Sequence, residues 1–267
     1  MIGPKHPAVQ QYLAIQNNSK PNPQRLIVLD GLWEVESALD AGLPIVAVLH
    51  APERFRGNRA TDVRDRAESV AAESFEISGR LADRLSDRDT SDGLAAIALS
   101  KQWALADVEP LAERSLVVVL DGLEVMGNVG TAIRSAQASG ASAVLLTNRR
   151  VRLTHPRLIH ASMAASLTMP IVDCSIDEAS DWLRRHQFQI LGTDTDAPTS
   201  YKSIEYGPRT ALVLGSERYG IHKDWNGKTD GAVAIPMAGG VDSLNVANAA
   251  TILLFEVASR HRPDDFR

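Results

Sequence analysis

From Leu116 to Met237 the sequence alternates between short, nearly unbroken apolar runs and longer stretches with helical spacing. No other feature limits its fold as much. The runs are LVVVLD (116–121), AVLLT (143–147), FQILGTD (188–194), TALVLGS (210–216) and AVAIPM (232–237). A strand with one wet face would alternate apolar and polar residues. These do not, so the sheet they build is covered on both faces. The stretches 129–139, 156–167, 176–186 and 244–260 are the helices expected to cover it. Ligands of such sheets bind beyond the carboxyl ends of the strands.

The first part of the chain shows a similar pattern. RLIVLD and PIVAVLH bracket LWEVESALDAG, in which Leu32, Val35 and Leu39 share a helical stripe and Gly42 suits a stop. Two strands with a helix between them suggest a parallel βαβ unit. ATDVRDRAESVAAESF reads as a second helix and GLAAIAL (93–99) as a closing strand, and the pattern weakens into a linker over Lys101–Ser115. The expectation is an α/β protein of two domains, 1–105 and 106–267.

Composition narrows the function classes. Hydrophobic content of 44% and charged content of 23% fit a globular chain, and no apolar run approaches the length of a membrane span. The N-terminal stretch lacks the features of a secretion signal. One cysteine, Cys174, leaves no internal disulfide and no thiolate zinc cluster, so no metal is expected and a reduced, cytoplasmic setting is. A net charge of −5 argues against a surface coated in cations for nonspecific nucleic-acid binding, while leaving room for a local patch.

Three loops look chemical. In LDGLEVMGNVGTAIRSAQASGA, Asn128 sits where a helix N-cap belongs. Arg134 shares a face with Thr131 and Gln137, opposite Val129, Ala132, Ile133 and Ala136. One cation thus projects near a helix start that favours anions. A capped helix with a solvated arginine accounts for the same residues. In LVLGSERYG, Gly215-Ser216-Glu217 is either a plain turn or a set of backbone groups for a ligand, with Glu217 pairing a cation. In IPMAGGVDSLNVANAATILLFE, Gly239 and Gly240 form a turn, and Ser243 and Asn245 flank a helix start. That loop has no lysine or arginine, and neither the Walker nor the dinucleotide glycine spacing is present. It suits an adenine-like, non-polyanionic ligand held by main-chain groups, and the missing fingerprint makes a nucleotide-dependent enzyme such as a dehydrogenase a remote reading. Arg149, Arg150, Arg152 and Arg157 crowd into TNRRVRLTHPRLIH, with Arg54, Arg56 and Arg59 a weaker second group. Both read as solvated charge or as phosphate contacts. With 5% aromatics, extensive base stacking is not expected.

NVGTAIRSAQASGASAVLL, LVLGSERYGI and IPMAGGVDSLNVANAATILLFE agree in order and spacing with three signature motifs. Over about 115–260 the chain resembles the SpoU-type (TrmH-like) RNA ribose 2′-O-methyltransferases of the SPOUT trefoil-knot superfamily. LDGLWEVESALDAG and LSDRDTSDGLAAIAL are similar to the ribosomal-protein-like recruiting domain of many members. The layout is also similar to that of the thiostrepton-type resistance methyltransferases. The resemblance implies a parallel-sheet trefoil-knot domain after a smaller α/β domain, with S-adenosylmethionine as cofactor. RNA is the implied partner, ribosomal RNA favoured over transfer RNA, and a homodimer through the C-terminal domain is implied as well. A non-catalytic RNA-binding knot protein is the remaining alternative.

By position, the resemblance implies a catalytic centre of Asn128, Arg134, Glu217, Ser243 and Asn245. The cofactor would lie against Leu191, Gly192, Leu214, Gly215, Ser216, Ile235, Pro236, Met237, Ser243, Leu244 and Ala247. RNA would meet Arg134, Arg149, Arg150, Arg157 and Arg54. The chain departs from the family pattern in RLIHASMAAS, where His160 and Ala164 replace an arginine and a glycine of many relatives. The phosphate contact of that arginine would fall to Arg157 or to Arg149–Arg152. Leu244, Val246, Ile252, Leu253, Leu254, Phe255 and Val257 spread round too much of the last helix for one buried face, so it is either enclosed in the monomer or packed on a second copy.

Overall fold

The structure is a computed structural model that describes residues 1–18, 21–109 and 111–266. It forms two compact units, Met1–Lys101 with Leu153–Thr168, and Gln102–Arg152 with Met169–Arg267. Leu153–Thr168, read from sequence as part of the second domain, therefore groups with the first.

In the first unit, α1 (Pro7–Gln16), α2 (Leu32–Asp40), α3 (Asn58–Val70) and α4 (Gly79–Leu85) cover a four-stranded sheet. Its strands are β1 (Leu26–Asp30), β2 (Ile45–His50), β3 (Glu73–Glu76) and β4 (Leu94–Leu99), in the order β1-β4-β2-β3. β1 and β2 are not direct neighbours: β4 lies between them, antiparallel to both. The expected helix over ATDVRDRAESVAAESF stops at Val70, and its last residues instead form β3, paired parallel to β2. Period-two alternation sends Ile27, Leu29, Leu94 and Ala96 to one core and Leu26, Val28, Ala95 and Ile97 to the other.

The helix expected over 156–167 is broken. β5 (Ser115–Asp121), α5 (Met126–Ala138) and β6 (Ala143–Thr147) precede α6 (Pro156–Ala161) and α7 (Ala165–Thr168). Between α6 and α7, Met163 and Ala164 take left-handed φ values of 49° and 65°. Apolar spacing cannot reveal such a break, because Ile159, Ala164 and Leu167 still reach one core, that of α2 and α3.

The second unit is a six-stranded parallel sheet in the order β10-β8-β9-β5-β6-β7. Its remaining elements are β7 (Ile171–Asp173), α8 (Ile176–Arg185), β8 (Gln189–Thr193), β9 (Arg209–Gly215), β10 (Gly231–Val233) and α9 (Val246–His261). Val117, Val119, Ala211 and Val213 pack with α8 residues Trp182 and Leu183 on one face. α5 and α9 lie together against β5, and α9 also packs on β9. β7 escaped the sequence reading because three residues are too few for a periodic signal. The expected strand 232–237 ends at Val233, so Ile235–Met237 are irregular. The linker expected at Lys101–Ser115 is partly fixed: Trp103 bridges Val172, and Val108, Leu105 and Leu111 pack on the sheet; its Pro110 lies outside the described residues.

Candidate methyl-transfer site

The chain leaves β5 towards β6 and β7 on one side and later fills β8 and β9 on the other. β5 and β9 therefore flank the point where strand order reverses, and a crevice opens there at the carboxyl ends. Asp121 and Gly215, the last residues of these strands, are paired in register. Asn128 lies in the first turn of α5, the helix after β5, and Glu217 in the turn after β9.

Asn128 is not a cap. α5 begins at Met126, with Val125 at the N-cap and no side-chain cap bond. The Asn128 amide is thus free to donate through Nδ2 to Glu217 Oε1. Its Oδ1 accepts from Asn245 Nδ2 at 3.1 Å. Asn245, rather than Ser243, caps α9, with Oδ1 accepting from Ala247 N at 3.0 Å. Each amide is fixed in one orientation by this chain of donors, which ends on a carboxylate. One turn further on, Ser135 Oγ and Thr251 Oγ1 lie 2.6 Å apart and tie α5 to α9. Arg134 is next to Ser135, exposed, and has no hydrogen-bond or ion-pair partner among the described residues.

Two features that sequence reasoning missed hold the Glu217 loop. Buried Asp121 accepts from Thr147 Oγ1 and Asn148 Nδ2 at 2.8 Å, and from His222 N at 2.7 Å. Ser216 and Gly220 exchange backbone bonds of 3.0 and 2.8 Å, closing a tight turn on Gly215. A Cβ on Gly215 would stand 2.0 Å from the Gly220 carbonyl carbon. The close approach that requires glycine here is therefore made by the chain itself. Gly239 and Gly240 need no such allowance, since a Cβ on either would meet nothing within 4 Å.

A cavity of about 610 Å³ opens beside this turn, within the usual range for a small-molecule pocket. Of the expected cofactor residues, Gly192, Leu214, Gly215, Ser216, Ile235, Met237, Ser243 and Leu244 line it, while Leu191, Pro236 and Ala247 do not. Glu217 lines it too; Asn128, Arg134 and Asn245 do not. Sequence reasoning missed Asp194, Thr195, Tyr219, Trp225, Asn226 and Thr229 in its wall. Its charged lining residues are Asp194, Glu217 and Asp242, with no lysine or arginine among the described residues. Such walls favour a cation and repel a polyphosphate. Trp225 is buried and its indole Nε1 has no partner among the described residues, leaving a donor for a ligand. The residues thus fit a sulfonium nucleoside.

The expected RNA-facing arginines differ in availability. Arg149 pairs Asp173 at 2.6 Å, and Arg54 pairs Asp83 and packs against Gly79 and Gly93. Both are committed to intramolecular contacts. Arg150, in the second unit, and Arg157, in the first, are exposed, with side chains unpartnered among the described residues. His160 is 61% exposed and its Nδ1 lies 3.5 Å from Glu34 Oε1. Burial pushes the Glu34 carboxyl up to about 7. Burial, then Glu178 and Asp173, push the Cys174 thiol up to about 12, so it is no nucleophile. Among the described residues no group of His, Cys, Asp or Glu could hold a metal ion, and no helix is long and apolar enough to cross a membrane.

Known proteins resemble this chain over most of its length. A putative TrmH family tRNA/rRNA methyltransferase of Staphylococcus epidermidis is 28% identical, over 90% of this chain and 98% of its own. The 23S rRNA (uridine(2479)-2′-O)-methyltransferase of Streptomyces viridochromogenes is 26% identical, over 92% and 88%. The AdoMet-bound rRNA methyltransferase of Sinorhizobium meliloti superposes with a TM-score of 0.86 at 26% identity, covering 98% of this chain and 97% of that one. The family model described as SpoU rRNA Methylase matches residues 115–255. The chain, with its parallel sheet, its acid-lined cavity and the amide chain beside it, belongs to the SpoU rRNA methylase family.

Proposed function

We propose that the protein transfers a methyl group from S-adenosylmethionine to a ribose 2′-hydroxyl of structured RNA. Ribosomal RNA is the favoured substrate, and the S. viridochromogenes relative, named for that reaction, supports this choice. The observation that carries the reading is the coincidence of Glu217 and Ser243 in a cation-favouring cavity with the Glu217–Asn128–Asn245 chain at its side. S-adenosylmethionine, when bound, supplies a methyl activated by its sulfonium. Gly192, Gly215, Ile235 and Leu244 would hold the donor mostly by main-chain groups. Asn128 and Ser243 would position the hydroxyl, with Glu217 and Asn245 fixing the Asn128 amide. Arg134 would bind the neighbouring phosphate and stabilise negative charge developing on the oxygen. A guanidinium gives up its proton too reluctantly to act as a base as well. Arg150 and Arg157 would contact the RNA backbone. The first unit would recruit RNA, and a homodimer through α5 and α9 would cover the half-buried Ile252 and Phe255. The setting is the cytoplasm, where RNA and donor meet.

The test is transfer of labelled methyl to ribosomal RNA from cells lacking this enzyme. Arg134→Ala is expected to lower the rate by about 100-fold or more. Full activity in that variant would show that the centre lies elsewhere.

A further inference from the structure

Tyr219 is 70% exposed, whereas every other described Phe, Tyr or Trp of the second unit is buried or half-buried. It is held firmly all the same. Its N–H donates to Ser216 Oγ at 3.1 Å inside the Ser216–Gly220 turn. That turn is braced on Gly215 at one end and, through His222 N, on Asp121 at the other. Tyr219 lines the cavity along with Glu217 and Ser243. The Arg218 guanidinium carbon stands 5.2 Å from the ring centroid. A large apolar face kept in water on a rigid turn, at the mouth of a reaction cavity, is costly unless something covers it.

We propose that Tyr219 is a stacking platform for a nucleobase of the RNA, the base of the methylated nucleotide or its neighbour, with Arg218 supplying positive charge for the adjoining phosphate. This deepens the methyltransferase reading and rests on it. A 2′-hydroxyl brought to this cavity carries its own base one glycosidic bond away, so a base must come to rest near the rim. Drawing a nucleotide out of structured RNA costs its native stacking, and an aromatic face restores part of it. Every base has a π-face, so such a platform strengthens binding with little sequence preference. The low aromatic content argues against a row of stacked bases, but one anchored ring is enough for one extruded base.

The experiment compares Tyr219→Ala, Tyr219→Phe and Tyr219→Trp in methyl transfer to protein-free ribosomal RNA from cells lacking the enzyme. Calorimetry with S-adenosylhomocysteine and sedimentation velocity accompany it. Tyr219→Ala should raise KM for RNA about tenfold, the size of one lost base stack, and lower S-adenosylhomocysteine affinity far less. Phe and Trp should restore KM. Once the methylated nucleotide is mapped, an oligonucleotide abasic there or at the adjacent position should weaken wild type by a similar factor and Tyr219→Ala no further. An unchanged KM in the alanine variant overturns the inference. So does an equal loss of S-adenosylhomocysteine affinity, which would give the ring to the donor. A change of oligomeric state, giving it to a second copy, or failure of Phe and Trp to rescue, overturns it as well. If wild type transfers no methyl to RNA, the functional reading falls and this inference with it; a wild type that methylates beside an unaffected alanine variant sinks the inference alone.

Discussion

Asp121 shows how much one side chain can organise at the end of a strand. Its two oxygens gather three donors, from the end of β6, the residue after it and the turn after β9, in a place closed to water. Asp121→Asn keeps the shape but turns one acceptor into a donor, so at least one of these donors is left facing another. Urea unfolding should show a loss of about 1–3 kcal/mol. Glu34 gives a second prediction at this scale. Its folded pKa is raised from 4.5 to about 7, mainly by burial, while Asp30 N donates to it at 2.8 Å. The folded state therefore keeps a proton that the unfolded chain releases. This contribution is complete below about pH 4.5 and is lost as pH rises through about 7. Unfolding free energy should fall across that window by on the order of 1–3 kcal/mol, and Glu34→Gln should remove the fall. Asn128, Glu217 and Asn245 stand out in sequence by type and position, and the structure hydrogen-bonds the three together. The cap role expected of Asn128 fails because α5 begins two residues earlier, at Met126, which leaves its amide for a carboxylate 89 residues away that local propensity cannot see. Asp121 escaped notice for the same reason: nothing in LVVVLD says which donors will arrive.

Among the elements, the long apolar strands and the two helices of the α5–α9 seam follow directly from periodicity. Short pieces do not. β3 and β7 have four and three residues, too few to alternate visibly. The break at Met163–Ala164 keeps its apolar residues in one core, so the spacing mimics an unbroken helix. The turn after β9 is the element on which the site depends most. Gly215→Ala would drive a methyl into the Gly220 carbonyl and force Ser216–Gly220 open. Circular dichroism and melting should change little, since the turn is exposed, while S-adenosylhomocysteine affinity falls by about tenfold or more in calorimetry. Retained affinity would mean that the cavity does not need the closed turn.

For the whole molecule, the all-round apolar character of the last helix is only partly absorbed by its own unit. Leu253, Leu254 and Val257 are buried, whereas Ile252 and Phe255 are half-exposed. A second copy would cover them. Sedimentation should give about twice the 28.9 kDa chain mass, and Ile252→Glu should return the protein to a monomer with little methyl transfer. The two-unit organisation was legible as a change of pattern near Lys101, but the return of Leu153–Thr168 to the first unit was not, because that segment carries the helical spacing of either unit. This return has a consequence for inheritance and for engineering. A gene cut between Lys101 and Gln102 would encode a front half whose core lacks Ile159, Ala164 and Leu167. The two units therefore cannot be traded between proteins by joining coding sequences end to end; a graft must carry the borrowed stretch with it, as two splices rather than one.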